Sequence, residues 1–215
     1  QDISSNFMSF VEKPVPKPSS SYLEKSDDSE FLVSFISVDP HIMIFGGGLD
    51  AVPLVTFAKQ NKTDFIATNV PRRYAAQVHQ HGLETLDSIA PEEKQWIAPL
   101  PIAFDADLPR YQEILKMMGD HGSPKLVMAQ ALKDATMAHS ILQNRGENGL
   151  FLHFNGAFHS DFHEGILWYL KLQQPDLNYF TLSTVLQDEL FNLDDEHLNR
   201  ADFIIVVDAD MTSTY

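Results

Sequence analysis

The chain reads as an α/β protein, a layered and mostly parallel sheet with helices on both faces. Short apolar, β-branched or aromatic runs alternate with amphipathic helical patterns from Asp39 onward, as βαβ units require. The last run, Ile204-Ile205-Val206-Val207, shows no polar alternation, which is the mark of a strand covered on both faces. With 215 residues and 44% hydrophobic content, the chain is long and apolar enough for one sizeable core.

Residues 1–38 form an N-terminal leader or strap. Their stretch KPVPKPSSS at 13–21 holds three prolines and three serines, an extended rather than a packed composition. Residues 39–215 then form a single domain. Its strands are expected at His41–Phe45, Asp64–Thr68, Leu150–Asn155, Tyr179–Thr184 and Phe203–Val207. Helices are expected at Pro53–Gln60, Pro71–His81, Leu108–Met118, Pro124–Gln143 and Gly165–Leu172. In the fourth, Val127, Ala131, Ala135, Ala138 and Leu142 recur at steps of three and four, giving one apolar face.

Composition narrows the function. The formal charge of −15, from 15 basic and 30 acidic side chains, repels phosphate backbones and argues against a nucleic-acid partner. The absence of cysteine removes disulfides, thiolate metal sites and thiol nucleophiles. No run approaches the roughly 18 apolar residues of a membrane span.

Three constellations carry candidate chemistry. In HFNGAFHSDFHEG, His153, His159 and His163 lie beside Asn155, Asp161 and Glu164, and imidazole with carboxylate suits zinc or manganese. His159 falls in the turn after a buried strand, where a side chain meets a ligand, so it is the candidate metal residue. His153 also reads as a hydrogen-bonded histidine of a half-buried layer, and His163 as a solvated one. On the preceding helix, Gln130, Asp134, Met137 and Ile141 share one side. Asp134 there can hold a histidine, fix a water, cap a neighbouring backbone, or lie on a solvent face. In the third stretch, Arg72 and Arg73 open a helix after Pro71. The helix dipole disfavours cations at that end, so the pair suggests an anion to be held, or surface charges with internal carboxylate partners. Gly46–Gly48 lacks the lysine and spacing of a phosphate loop.

Several runs together resemble the ChaN-like haem-binding lipoprotein family: FAKQNKTDFIATNVPRRYAAQVHQHGLETL, PLPIAFD with LPRYQ, AQALKDATMAHSI, HFNGAFHSDFHEGILWYL and ADFIIVVD. They cover roughly residues 50–215, in family order and with family-like spacing. The resemblance implies a lipid-anchored protein of the bacterial outer membrane, linked to iron or haem uptake. It also implies haem at a homodimer interface, held by tyrosine with histidine assisting. On that footing Tyr111 beside Arg110 is the candidate iron ligand and Tyr74 the second, while Tyr169 packs in the core. His159 or His163 assists, Arg72 and Arg73 face the propionates, and Asp134 supports the site. Met137, Phe158, Phe162 and Trp168 supply apolar walls. Family members carry a Gly-Glu-x-His type motif and a long helical stretch after the first strand, whereas here HIMIFG runs straight into GGLDAVPLVTFAKQN. A family segment is therefore expected to be missing near 46–50. The alternative function is a metal-dependent hydrolase, in which His159 works with that unseen glutamate and histidine on zinc or manganese. A third is a binding protein without cofactor.

Overall fold

The computed structural model describes residues 31–35, 52–146 and 150–211. The fold is α/β, and among the described residues all strand pairing is parallel. In chain order the main elements are β1 (Phe31–Phe35), α1 (Val52–Asn61), β2 (Phe65–Ala67), α2 (Arg72–His81), α3 (Pro109–Met118) and α4 (Pro124–Asn144). After them come β3 (Leu150–Phe154), α5 (Ile166–Gln173), β4 (Leu182–Gln187) and β5 (Phe203–Asp208). The sheet is small and lies in two parts among the described residues. One has the order β2-β1-β3, and the other pairs β4 with β5.

Helix α4 organises the core. Ser123 caps it in an extended conformation, its hydroxyl accepting from the Leu126 amide at 3.3 Å, and Pro124 follows where no amide is needed. Val127, Ala131, Ala135 and Ala138 pack against Tyr111 of α3 and Leu167 and Leu170 of α5. Ala129 and Leu132 face the other way, onto Tyr74 and Val78 of α2 and Leu86. The one helix is thus apolar on two sides, and the polar side chains it keeps inside need partners.

Two expectations about strands are corrected. The middle strand of the larger sheet, β1, falls in the stretch read as a leader, because the apolar run FLVSF was overshadowed by the proline- and serine-rich sequence before it. The fourth strand spans Leu182–Gln187 rather than Tyr179–Thr184; there Ser183, Val185 and Gln187 alternate inward with Leu182, Thr184 and Leu186 outward. The strand expected at His41–Phe45, the join at 46–50 and the run at 13–21 lie outside the described residues.

Candidate functional site

β1, β2 and β3 run parallel, so their carboxyl ends share one edge, the usual place for a ligand in such sheets. β3 ends at Phe154 and the chain turns at once. The His159 amide donates to the Gly156 carbonyl at 2.9 Å, closing the turn Ala157–His159. Asn155 braces it, its Nδ2 donating to the Gly156 carbonyl at 2.9 Å and to Ser160 Oγ at 2.8 Å. Beyond it, Gly165 has φ +56, and a Cβ there would stand 2.4 Å from the His159 carbonyl oxygen. Only glycine lets the start of α5 come that close, so α5 seats the histidine's backbone.

The His159 side chain is held from α4. Its Nδ1 lies 2.5 Å from Asp134 Oδ1, and the Asp134 carboxylate is fully buried. Tyr111 donates its hydroxyl to Asp134 Oδ2 at 3.3 Å, and the neighbouring Tyr169 hydroxyl donates to the Ala103 carbonyl at 2.6 Å. Burial pushes the Asp134 carboxyl above its ordinary value, while the His159 imidazole pulls it back. Gln130 on the same helix is 2.9 Å from the same Nδ1. One ring nitrogen carries at most one hydrogen. The Gln130 atom facing that nitrogen is Nε2; with Nδ1–H given to Asp134, the two ends of the Gln130 amide must exchange so that its oxygen, not its NH2, faces the ring. His159 Nε2 has no hydrogen-bond partner among the described residues. The result is an imidazole fixed in tautomer and orientation by a buried carboxylate, with one open lone pair.

His153 stands behind it in β3, both nitrogens engaged: Nε2 with Thr68 Oγ1 at 3.0 Å and Nδ1 with Asn155 Oδ1 at 3.0 Å. Burial, with a smaller contribution from His159, lowers its pKa to about 4. The imidazole is therefore neutral in the fold but protonates in the unfolded chain below the ordinary 6.5. Stability is thus lost as pH falls from 6.5 toward 4, by up to about 3 kcal/mol. His153→Gln lacks this loss. The stability difference between wild type and variant, measured by denaturant unfolding, is expected to shrink by about that amount between pH 7 and pH 4. A difference that stays constant with pH would contradict a neutral, buried His153.

The other expected site residues fall in several places. Tyr111 lies inside the core rather than at an open face of the site. It is 1% exposed, stacks on Phe104, gives its hydroxyl to Asp134, and burial pushes its phenol far up. Met137 is fully buried in the core rather than on a wall. His163 turns away from His159: Phe162 and His163 both have left-handed backbone (φ 58 and 59), and His163 Nε2 meets Thr181 Oγ1 and Asp202 Oδ1, each at 3.3 Å. Arg73 is spent on Tyr74 and Glu93, donating at 2.7 and 3.2 Å. Arg72 is exposed and close enough to Lys133 to disfavour its charge; burial, the larger cause, also lowers the Lys133 pKa. Lys133 precedes Asp134, so Arg72 and Lys133 put positive charge beside the Asp134 end of the site.

The sequence reading named Arg110 and Asp161 but not their pairing. Arg110, 4% exposed, pairs with Glu113 and reaches Asp161 Oδ2 at 3.5 Å, while Arg200 reaches the same oxygen at 3.3 Å. The Arg110 guanidinium also lies 4.4 Å from the Phe158 ring centre and 5.2 Å from that of Phe162. Phe158 and Phe162 thus hold an arginine, and this cluster anchors the turn that carries His159.

A histidine at the carboxyl edge of a parallel sheet, backed by a buried aspartate, gives this α/β protein a candidate ligand site. The family described as haem-binding uptake, Tiki superfamily, ChaN matches residues 52–170, over half of the chain. The chain belongs to that family. Comparisons with curated proteins and with solved structures found no match.

Proposed function

We propose that this protein binds haem, with His159 Nε2 as the protein's ligand to the iron. The observation that carries this reading is the open Nε2 on an imidazole whose Nδ1 is fixed by Asp134. Histidine is a recognised axial ligand of haem iron, and a carboxylate behind it raises its basicity. Arg72 and Lys133 offer cations for the propionates, and Phe158, 36% exposed in the same turn, offers apolar surface to the macrocycle. Bound haem supplies an iron centre able to bind and exchange ligands; the chain orients the imidazole and keeps Nδ1 protonated.

The same lone pair suits zinc or manganese, the hydrolase alternative. Haem is favoured because it needs only one protein nitrogen, whereas catalytic zinc sites use three protein ligands. Among the described residues, His153 behind His159 has both nitrogens occupied.

The reading extends to a bacterial cell-envelope lipoprotein, tied to the outer membrane by lipid and serving iron or haem acquisition. The sequence resemblance and the family's description as one of haem-binding uptake support it. No helix among the described residues is long and apolar enough to cross a membrane. One imidazole per chain leaves a face of the haem open, and a second copy of the chain covers it. Haemin titration followed by sedimentation is therefore expected to saturate at about half an equivalent per chain and to yield a dimer. Saturation at a full equivalent on a monomer would contradict the dimer, and unsaturable absorption would contradict haem binding.

A further inference from the structure

A second set of ligand atoms lies away from His159, on the connection between β4 and β5. Gln187, 4% exposed at the end of β4, pins the start of this connection. Its Nε2 donates to the carbonyls of Glu189 and Asn192, and its Oε1 accepts from the Asp194 amide at 3.2 Å. The turn Asp195–His197 follows directly. Asp194, Glu196 and His197 each present one ligand atom, and these atoms lie within 4.8 Å of one another.

The acidic pair alone would be an ordinary solvated surface. His197 makes it more than that. The residue is only 7% exposed, yet among the described residues neither of its ring nitrogens has a hydrogen-bond partner. The Glu196 carboxylate stands 3.8 Å from Nε2, beyond hydrogen-bond range. An imidazole buried with both nitrogens unsatisfied is costly unless something accepts its lone pair or donates to it. A cation between the ring and the two carboxylates answers that requirement for the nitrogen that carries the lone pair.

We propose that Asp194, Glu196 and His197 bind a divalent transition-metal ion. One imidazole nitrogen with two carboxylate oxygens suits zinc, manganese or ferrous iron, whereas calcium and magnesium take oxygen ligands. Three protein ligands leave coordination positions for water, so the site is open rather than closed. The ion neutralises two of the clustered carboxylates and ties the connection to the carboxyl end of β4 through Gln187. From there the chain continues to Arg200, whose guanidinium reaches Asp161.

The test uses the full chain without an affinity tag and with His159→Ala, so that the haem site contributes no ligand. Zinc ions alone are titrated in competition with a chromophoric chelator. One saturable equivalent is expected. Glu196→Gln, whose side chain is 78% exposed and so leaves the fold intact, is expected to weaken binding roughly tenfold or more. Asp194→Asn is expected to do the same, with circular dichroism unchanged in both. No saturable uptake, or equal affinity in the parent and both variants, would overturn the proposal; the latter would assign the metal to exposed histidines elsewhere.

Discussion

Arg110→Ala is expected to destabilise the fold by about 3–5 kcal/mol, the usual cost of removing one partner of a buried ion pair. The Asp161 side chain is 1% exposed and the Arg110 side chain 4%, so neither charge has water to fall back on. Without Arg110, Asp161 keeps Ser183 at 2.9 Å and the partly exposed Arg200 at 3.3 Å. Phe158 and Phe162 also lose the guanidinium they flank. Burial already pushes the Asp161 carboxyl up against the pull of Ser183, Arg200 and Arg110. Removing Arg110 moves it further up. A carboxyl raised in the fold gives stability below its unfolded pKa that is lost as pH rises, so the deficit of the variant should narrow in acid. Urea unfolding at two pH values reads both effects. Asp161→Asn in the Arg110→Ala background should recover part of the loss, since the unpaired charge is then gone. A variant within about 0.5 kcal/mol of wild type would show that the cluster is not a buried ion pair in solution.

Asp134→Asn is expected to weaken haemin binding roughly 10–100-fold, the usual effect of removing a carboxylate behind a metal-ligating histidine. The amide oxygen still accepts from Nδ1–H, so the ring stays in place and only the charge is lost. Stability should respond differently. Folding raises the Asp134 carboxyl, so the ionised group opposes folding as pH rises above its ordinary 3.8, and its removal should not lower the melting temperature at neutral pH. Affinity lost with stability kept would mark Asp134 as a residue that positions His159. Equal affinity in the two proteins would reduce it to a packing residue.

Much of this arrangement was legible in the sequence, for identifiable reasons. The α4 face of Val127, Ala131, Ala135 and Ala138 follows from its period, and a histidine in the turn after an apolar strand stands out without any structure. That Asp134 holds a histidine was one of several open readings. The two residues are 25 apart in the chain, and only the packing of α4 beside the β3 turn selects the pair. The burial of Tyr111 was not legible because a tyrosine beside an arginine at a helix start looks the same from outside as from within. Its burial depends on Phe104 and α4. For His163 the sequence left a solvated residue and a haem-assisting one as open readings, and neither fixes which way it faces. The left-handed backbone at Phe162 and His163 is not marked by any glycine, so the break left no trace in composition. Arg110 and Asp161 pair across 51 positions, beyond the reach of local pattern.

The most direct test of the account is the visible spectrum of haemin-saturated wild type beside those of His159→Ala and Tyr111→Phe. The account predicts that His159→Ala loses the coordinated spectrum, whereas Tyr111→Phe, which removes a buried hydroxyl set between Asp134 and Tyr169, keeps its band shape. A spectrum lost in Tyr111→Phe and intact in His159→Ala would contradict His159 as the iron ligand and return that role to a tyrosine.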